Sequence, residues 1–575
     1  MPDETFDAIV IGGGNKALFV AMYLTRYAQM KVGVFERRHE IGGCLATEES
    51  AAPGFRCNTH ATLQLPWYYL PLWRDFPEFW DYGAKIDQHL CSDGAVFRKN
   101  GTCLTIYSDK YDWSQERTAA QIARFSEKDA EKYLKMRKMW IGQEAQYVQM
   151  DQFFRPVEEA LDPGVIERQM AVYPQLVEAG LDPDALTLMA PHTHNVQELW
   201  DSKELQYINL RFLLGGAVDV NQAGDGGGTF GFLAMTPHIG FASGGTHQVA
   251  HAAHQVLIQD GCKFFTHADV QSVIIENGTA KGIRLSDGSE IKANKLVVST
   301  LSPQQLCFDL IGRENLPDKI VRRAELLETA FGCLMWYSFA VHEAPKYEAA
   351  AFNPDVNECF YLGLAEDNDP MQVSRECYWS RLRKWPPIED YCPTVWSHSL
   401  VDPSYAPPGK HILSHEQLGP PATEHTEKEW MEIKNRYLEE LLGIWSKHAP
   451  NMTWDNIIGT DCQTPYDANH MKNLAPNGCM ALLDRVPHQC NDKRPMPELA
   501  NHRTPIANLY ATGAGWHIGA NSSADSSYNC YKIIAKDMNL PKPWEESGKE
   551  EPDSLYQTWL SVMEKIKNSP KVDFK

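Results

Sequence analysis

No C-x-x-C pair occurs among the 14 cysteines of this 575-residue chain, and their spacings follow no pattern. In a long acidic sequence that irregularity points to reduced thiols rather than to a disulfide framework or a zinc site. A long basic run is missing too. The 54 Lys and Arg against 75 Asp and Glu leave a formal net charge of −21. Without clustered cations to neutralise phosphates, nucleic acid is excluded as a partner. No run of 18 residues is apolar enough to span a bilayer. The opening MPDETFDAIVIGGG has no basic stretch ahead of an apolar core. A cytoplasmic protein is therefore expected, any membrane association being peripheral. Internal repeats and low-complexity segments are also absent. What remains is globular: 43% apolar and 22% charged residues. Length suggests about four domains, and two large interleaved ones fit as well.

The most informative residues come first. FDAIVI (6–11) reads as a short apolar strand running into Gly12-Gly13-Gly14-Asn15-Lys16-Ala17, a G-x-G-x-x-A turn. Residues 15–29 read as a helix with Ala17, Ala21 and Leu24 on one face, and a second strand, KVGVF, stops at Glu36. Each part has a mechanical task. Gly12 allows the tight turn, Gly14 and Asn15 bring backbone N–H groups to a pyrophosphate, and Ala17 lets the helix pack closely on the strand. Glu36, 19 positions beyond Ala17, stands where a carboxylate hydrogen-bonds a ribose hydroxyl. No Arg replaces this acid, which disfavours a 2′-phosphorylated nucleotide. Glu36-Arg37, then four residues, then Gly42-Gly43 form a continuation similar to that of two-dinucleotide-binding-domain flavoproteins, where it lies along FAD. FAD is the expected cofactor.

Two later blocks complete such a fold. Gly244-Gly245-Thr246 precedes a helical stretch to about Gln259, followed by β runs from Asp269 through Val270 to Ile275, at Gly282–Leu285 and at Leu296–Ser299. Asn277-Gly278 and Asp287-Gly288 separate them as hairpin turns. NLYATGAG (508–515) reads as a late strand, with a helix at about 522–537. No second strand with a terminal acid follows Gly513-x-Gly515, so a separate NAD domain is rejected. The expected class is α/β: a Rossmann-like two-dinucleotide-binding-domain FAD fold with an interleaved α+β substrate domain. Residues 1–75, 240–310 and 500–540 are assigned to the FAD domain, and 76–239 and 311–499 to the substrate domain. The tail 541–575 is a linker and an amphipathic helix with Leu555, Trp559, Val562, Met563 and Ile566 on one face.

Between these blocks, Trp67, Tyr68, Tyr69, Trp73, Phe76, Phe79, Trp80 and Tyr82 concentrate aromatics. They either line an apolar tunnel, dip into a bilayer surface, or pack as core beside the cofactor. Ser126-x-x-Asp129 and Thr426-x-x-Glu429 read as capping boxes, the second opening a stripe of Trp430, Ile433, Tyr437, Leu441 and Ile444. His192-x-His194 suggests metal ligation, but no third ligand is legible and no metal is assigned.

These blocks, in this order, resemble the phytoene desaturase-like flavoproteins, which include carotenoid desaturases, retinol saturase and the monoterpene (limonene) dehydrogenases. The resemblance is carried further by Arg117-Thr118, Ile122, Phe125-Ser126, Asp129-Ala130 and Tyr133, by Thr464-Pro465-x-Asp467, and by Gly513, Ala514, His517, Gly519 and Asn529. About half of the chain is covered. It implies noncovalent FAD, a buried apolar tunnel and an isoprenoid-like substrate that is desaturated, saturated or isomerised. The departures are specific. Cys44 stands where the family often has Arg, Asn58 and His60 replace its Asp and Gly, and Ala520-Asn521-Ser522-Ser523-Ala524-Asp525 replaces its glycine-rich stretch. Hydrogen-bonding groups thus gather near the flavin, which puts carotenoid desaturation itself in doubt.

The resulting expectation is hydride transfer from an apolar isoprenoid to flavin, with water capture at an allylic carbon as an option. Asp525 is the carboxylate expected to stabilise an electron-poor carbon, and His517, then His60, the group to take a proton. Asp525 capping the final helix and His517 holding a turn remain open. Gly12, Gly14, Asn15, Ala17, Glu36, Arg37, Gly42, Gly43, Val270, Gly513 and Asn521 are expected to bind the cofactor. Competing readings are a flavin-dependent saturase or isomerase, and a non-catalytic lipid-binding protein or helper subunit. The electron acceptor is not legible, and both homo- and hetero-oligomers fit.

Overall fold

Every residue of the strand Phe6–Ile11 except Asp7 is buried, because both edges of this strand are taken. In the computed structural model, which describes residues 5–180, 184–224, 226, 228–518 and 522–571, it pairs in parallel with Val32–Phe35 on one side and Glu290–Ser299 on the other. Lys263–Phe265 adds outside Val32–Phe35, and Leu509–Ala511 outside Glu290–Ser299. Five parallel strands are thus collected from three distant parts of the chain. Gly513 lies just past the end of the last of them.

A β-meander joins this layer. Val270–Glu276 runs antiparallel to Thr279–Leu285, which pairs with the first residues of Glu290–Ser299. Its first turn is Asn277-Gly278, with φ 49° and 73°. Positive φ at both central residues is what a two-residue hairpin of this twist requires. The helix Asn15–Arg26 touches both His247–Gln259 and Asp525–Met538. The tail helix Asp553–Asn568 lays Leu555, Trp559, Val562, Met563 and Ile566 into the same core. Trp67, Tyr69, Phe76 and Phe79 are buried there as well, with Trp80 and Tyr82 packed at its margin. The aromatic cluster is core, and of these rings Tyr68 reaches the cavity described below.

A second seven-stranded sheet runs in the order Ile457–Gln463, Leu334–Val341, His411–Leu418, Thr394–Trp396, Cys359–Ala365, Cys91–Phe97, Thr102–Tyr107. All pairs are antiparallel except Cys359–Ala365 with Cys91–Phe97. Side chains alternate across a pleated sheet, and the two faces differ. Met335, Tyr337, Phe339 and Leu413 pack under the helix Glu427–His448, through Trp430, Ile433, Tyr437 and Leu441. The other face, carrying Trp336, Glu416, Trp396 and Tyr361, is turned towards the first sheet's cavity.

The two expected capping boxes come out differently. Thr426 and Glu429 exchange both hydrogen bonds. Ser126 accepts from the Asp129 N–H, but the Asp129 carboxylate turns away and accepts the N–H groups of Asp201 (3.0 Å) and Ser202 (2.7 Å). Asp129 therefore anchors the start of the helix Lys203–Gly215 rather than the end of its own.

Candidate active site

The strand–turn–helix at the N-terminus builds one end of a cavity of about 1070 Å³. Gly14 is the N-cap of Asn15–Arg26; no side chain caps that end and no acidic residue sits in its first turn. Its N–H donors and positive dipole end are left to the cavity. Gly43 approaches so closely that a Cβ on it would stand 2.9 Å from the Gly14 Cα, and Gly14 and Gly42 form a β-bridge. Only glycines allow the two turns to touch. At the end of the second strand, Glu36 accepts the Gly13 N–H (2.7 Å) and the Arg38 N–H (2.8 Å). An anion-binding turn, a close backbone approach and a carboxylate one strand away are what a dinucleotide requires, and these residues fit one.

The wall of the cavity includes Gly12, Gly14, Asn15, Glu36, Arg37 and Gly43, joined from the later segments by Val270 and Gly513. Ala17 and Gly42 stand behind that wall, Ala17 fully buried in the helix. Asn521 and Gly519 lie outside the described residues. Of the three residues expected to act in catalysis, His60 and Asp525 line the cavity. His517 does not. Its Nδ1 meets the Asn491 carbonyl (2.9 Å) and its Nε2 the Arg155 carbonyl (3.0 Å), so the ring ties two backbone segments together.

Asp525 is the first residue of the helix Asp525–Met538 and is fully buried. One carboxylate oxygen accepts from Lys16 Nζ (2.5 Å) and from the Ser526 N–H; the other has no partner. Lys16 also donates to the Ser523 carbonyl (2.7 Å). Burial lowers the Lys16 pKa, and Asp525 works against that shift. The pair locks the first nucleotide turn to the helix Asp525–Met538, 509 residues on.

His60 stands beside a second ion pair, Lys472 Nζ to Glu48 Oε1 at 3.0 Å. Burial and then the Lys472 cation push the His60 pKa down to about 3. Its imidazole is neutral at ordinary pH, with Nε2 unpartnered. The histidines of the His192-x-His194 motif go different ways: His192 Nδ1 to Thr229 Oγ1 (2.8 Å), His194 Nε2 to Glu198 (3.1 Å).

Sequence reasoning missed the opposite wall. Leu334, Trp336, Gln463, Glu416, Trp396 and Tyr361 line it, all from one face of the second sheet. Glu416 is 8% exposed, and burial pushes its pKa up to about 7 against the Trp396 indole, Arg211 and Tyr361. The near-continuous apolar run LMWYSFAV was the available signal of a buried strand, but such a run does not say which face meets a ligand. On a third side, Val172 and Leu176 of the helix Pro163–Glu178 close the cavity.

Residues 10–81 match a family model described as an NAD(P)-binding Rossmann-like domain. One subunit of the limonene dehydrogenase of Castellaniella defragrans is 24% identical over 560 residues, covering 94% of this chain and 96% of that protein. The mouse pyridine nucleotide-disulfide oxidoreductase domain-containing protein 2 is 25% identical over 93% of this chain and 94% of its own. A phytoene desaturase (neurosporene-forming) of Cereibacter sphaeroides is 24% identical over 49% of this chain and 51% of its own. Among solved structures, a putrescine oxidase variant superposes with a TM-score of 0.58 at 12% identity, covering 94% of this chain and 99% of that one. An oxidoreductase from Methanosarcina mazei does so at 0.55 and 15%, covering 92% and 99%. These likenesses carry the fold. Fold, dinucleotide turn and relatives together define an oxidoreductase of the FAD-dependent class. Within that class its relatives include a limonene dehydrogenase subunit, phytoene desaturases and prolycopene isomerases, consistent with the phytoene desaturase-like family.

Proposed function

We propose that this protein binds FAD and oxidises an isoprenoid-like substrate held in the apolar half of the cavity. The observation that carries the reading is continuity: one cavity runs from the Gly12–Gly14 turn to the aromatic floor at Trp336 and Trp396. A bound flavin would supply hydride acceptance. The first helix end and Gly12–Gly14 would hold its diphosphate, Glu36 a ribose hydroxyl, and Val270 and Gly513 its flanks. Asp525 holds Lys16 beside that turn, and as a carboxylate in the cavity wall it would stabilise positive charge developing on a substrate carbon. His60, which lines the cavity and is kept neutral by burial and Lys472, is the residue we assign as proton acceptor. His517 keeps its place as a clamp between Asn491 and Arg155 and is left out of the proton path.

The names of the limonene, phytoene and prolycopene relatives support an isoprenoid. The limonene relative is one subunit of a larger enzyme, which supports a partner chain, and an isomerase among the relatives keeps redox-neutral chemistry as the second reading. We also propose peripheral contact with lipid through the helix Pro163–Glu178. Its outer side carries Ile166, Met170, Tyr173 and Val177 exposed in one stripe, while Val172 and Leu176 face the cavity. Among the described residues no helix is long and apolar enough to cross a membrane. An absorption spectrum of the purified protein, repeated anaerobically with a panel of terpenes and terpene alcohols, tests the main reading. Flavin bands that bleach are expected. Bands that stay unchanged with every compound favour the isomerase, and a protein that takes up no flavin on reconstitution overturns the proposal.

A further inference from the structure

The nucleotide end of the cavity holds a cation that no carboxylate among the described residues neutralises. Arg494 belongs to the cavity wall but is only 1% exposed. Its guanidinium donates to backbone carbonyls alone. Nε (3.0 Å) and Nη2 (2.9 Å) reach Ala514, Nη2 also reaches Ala481 (2.6 Å) and Leu483 (3.3 Å), and Nη1 reaches Gln489 (3.2 Å). Asp484, whose charge acts on it, is held by Arg381 (3.4 Å) and by the Phe331 N–H (2.9 Å). Burial pushes the Arg494 pKa down to about 10, so the group stays charged at neutral pH. Carbonyls satisfy its donors, but its charge has no counter-ion, which is costly in a buried place.

Three adjacent parallel strands set its position. Phe6–Ile11 and Leu509–Ala511 flank Glu290–Ser299, so the turns that follow them meet at one end of the sheet. A Cβ on Gly513 would stand 3.0 Å from the Thr300 carbonyl oxygen, and one on Gly12 would strike the Thr300 hydroxyl. Arg494 grips the late turn through Ala514 and acts on the first turn as well. Burial lowers the Lys16 pKa, and the Arg494 charge adds to that shift. The carbonyls of the late turn are drawn off, that of Gly513 by the Trp516 N–H (3.1 Å) and that of Ala514 by Arg494. The N–H groups of Gly513 and Ala514 have no acceptor among the described residues, and both residues line the cavity.

Backbone donors, carbonyls turned to other partners and an unspent positive charge together suit an anion. Lys16 spends its charge on Asp525, and an apolar substrate brings none. The group that answers Arg494 is therefore a phosphate of the cofactor. We infer that Arg494 is the fixed counter-charge for the diphosphate of the bound dinucleotide. It acts from behind the cavity wall, as a positioning residue: it holds the Ala514 carbonyl and places positive charge under the turn. This rests on the FAD reading above.

Affinities of the full-length protein, freed of flavin, for FAD, ADP and riboflavin test it. ADP carries the diphosphate without the flavin, and riboflavin carries the flavin without phosphate. Arg494→Gln is expected to weaken FAD and ADP by a similar factor, at least about tenfold, and to leave riboflavin unchanged. Arg494→Lys keeps the charge, so it should bind ADP within about threefold of wild type. It also covers the case in which Arg494→Gln does not fold. Equal loss of all three ligands marks a structural clamp and overturns the inference. Unchanged ADP affinity in Arg494→Gln, or a loss of about tenfold in Arg494→Lys, overturns it too; in each case the FAD reading stands. Wild-type protein that binds neither FAD nor ADP overturns both.

Discussion

At the scale of single residues, the chain buries carboxyl groups that it does not use in ion pairs. Glu376 is 2% exposed; it accepts the Cys392 N–H (2.7 Å), yet burial pushes its pKa up to about 7. A carboxyl whose pKa is higher folded than unfolded stabilises the fold below the unfolded value, and that contribution is lost as pH rises through the folded one. Between about pH 4.5 and 7 this group withdraws up to roughly 3 kcal/mol. Glu376→Gln keeps an acceptor for Cys392 and removes the titration. The variant's unfolding midpoint should therefore climb relative to wild type from pH 5 to pH 8 and then level off. A difference that does not change with pH would contradict the assignment. Lys16 shows how legibility varies at this scale. Its place inside G-x-G-x-x-A was visible in the sequence, but its ion pair with Asp525 joins residues 509 apart and no local pattern announces it.

Elements obey the same division. The start of Glu427–His448 was readable because a capping box is a contract between neighbours, Thr426 and Glu429. Ser126 and Asp129 have the same spacing, yet Asp129 serves a different helix, since two N–H groups ending at Ser202 compete for its oxygens. The helix Pro163–Glu178 belongs at this scale too. Ile166, Met170, Tyr173 and Val177 recur at intervals of three and four, which places them on one side of a helix. With a net charge of −21, attraction to anionic lipid is opposed, so insertion into zwitterionic bilayers is expected. Phosphatidylcholine vesicles should carry the protein down in a sedimentation assay. Replacing Ile166 and Met170 together with Glu should release it while its flavin spectrum is retained. Undiminished sedimentation of the double variant would remove this helix from consideration.

At the scale of the whole molecule, the tail closes the dinucleotide layer. Glu551, just before the last helix, pairs with Arg74 (2.9 Å) and Lys532 (2.6 Å), all three side chains buried. These cations hold the Glu551 pKa down to about 2 despite burial. Beyond it Leu555, Trp559, Val562, Met563 and Ile566 fill the first core. Each such side chain is worth about 1.5–3 kcal/mol when fully buried, so the set rivals the total stability of a typical domain. A chain ending at Asn539 should fail to accumulate in soluble form, and one ending at Ser569 should behave as the full chain. Soluble, flavin-binding protein from the shorter version would show that the tail is dispensable.

The sequence by itself determined the dinucleotide turn, the acid at Glu36, the hairpin at Asn277-Gly278 and the amphipathic tail. Each rests on residues within one element or one turn of each other, where backbone geometry alone dictates residue type. Tertiary structure decided what faces the ligand. Asp525 meets Lys16, His517 bridges Asn491 and Arg155, and Trp336 joins Glu416 and Trp396 on one face of a sheet. A strand's alternation separates two faces but does not rank them. Only packing, with the helix Glu427–His448 on one face and the cavity on the other, assigns one to the core and the other to the substrate.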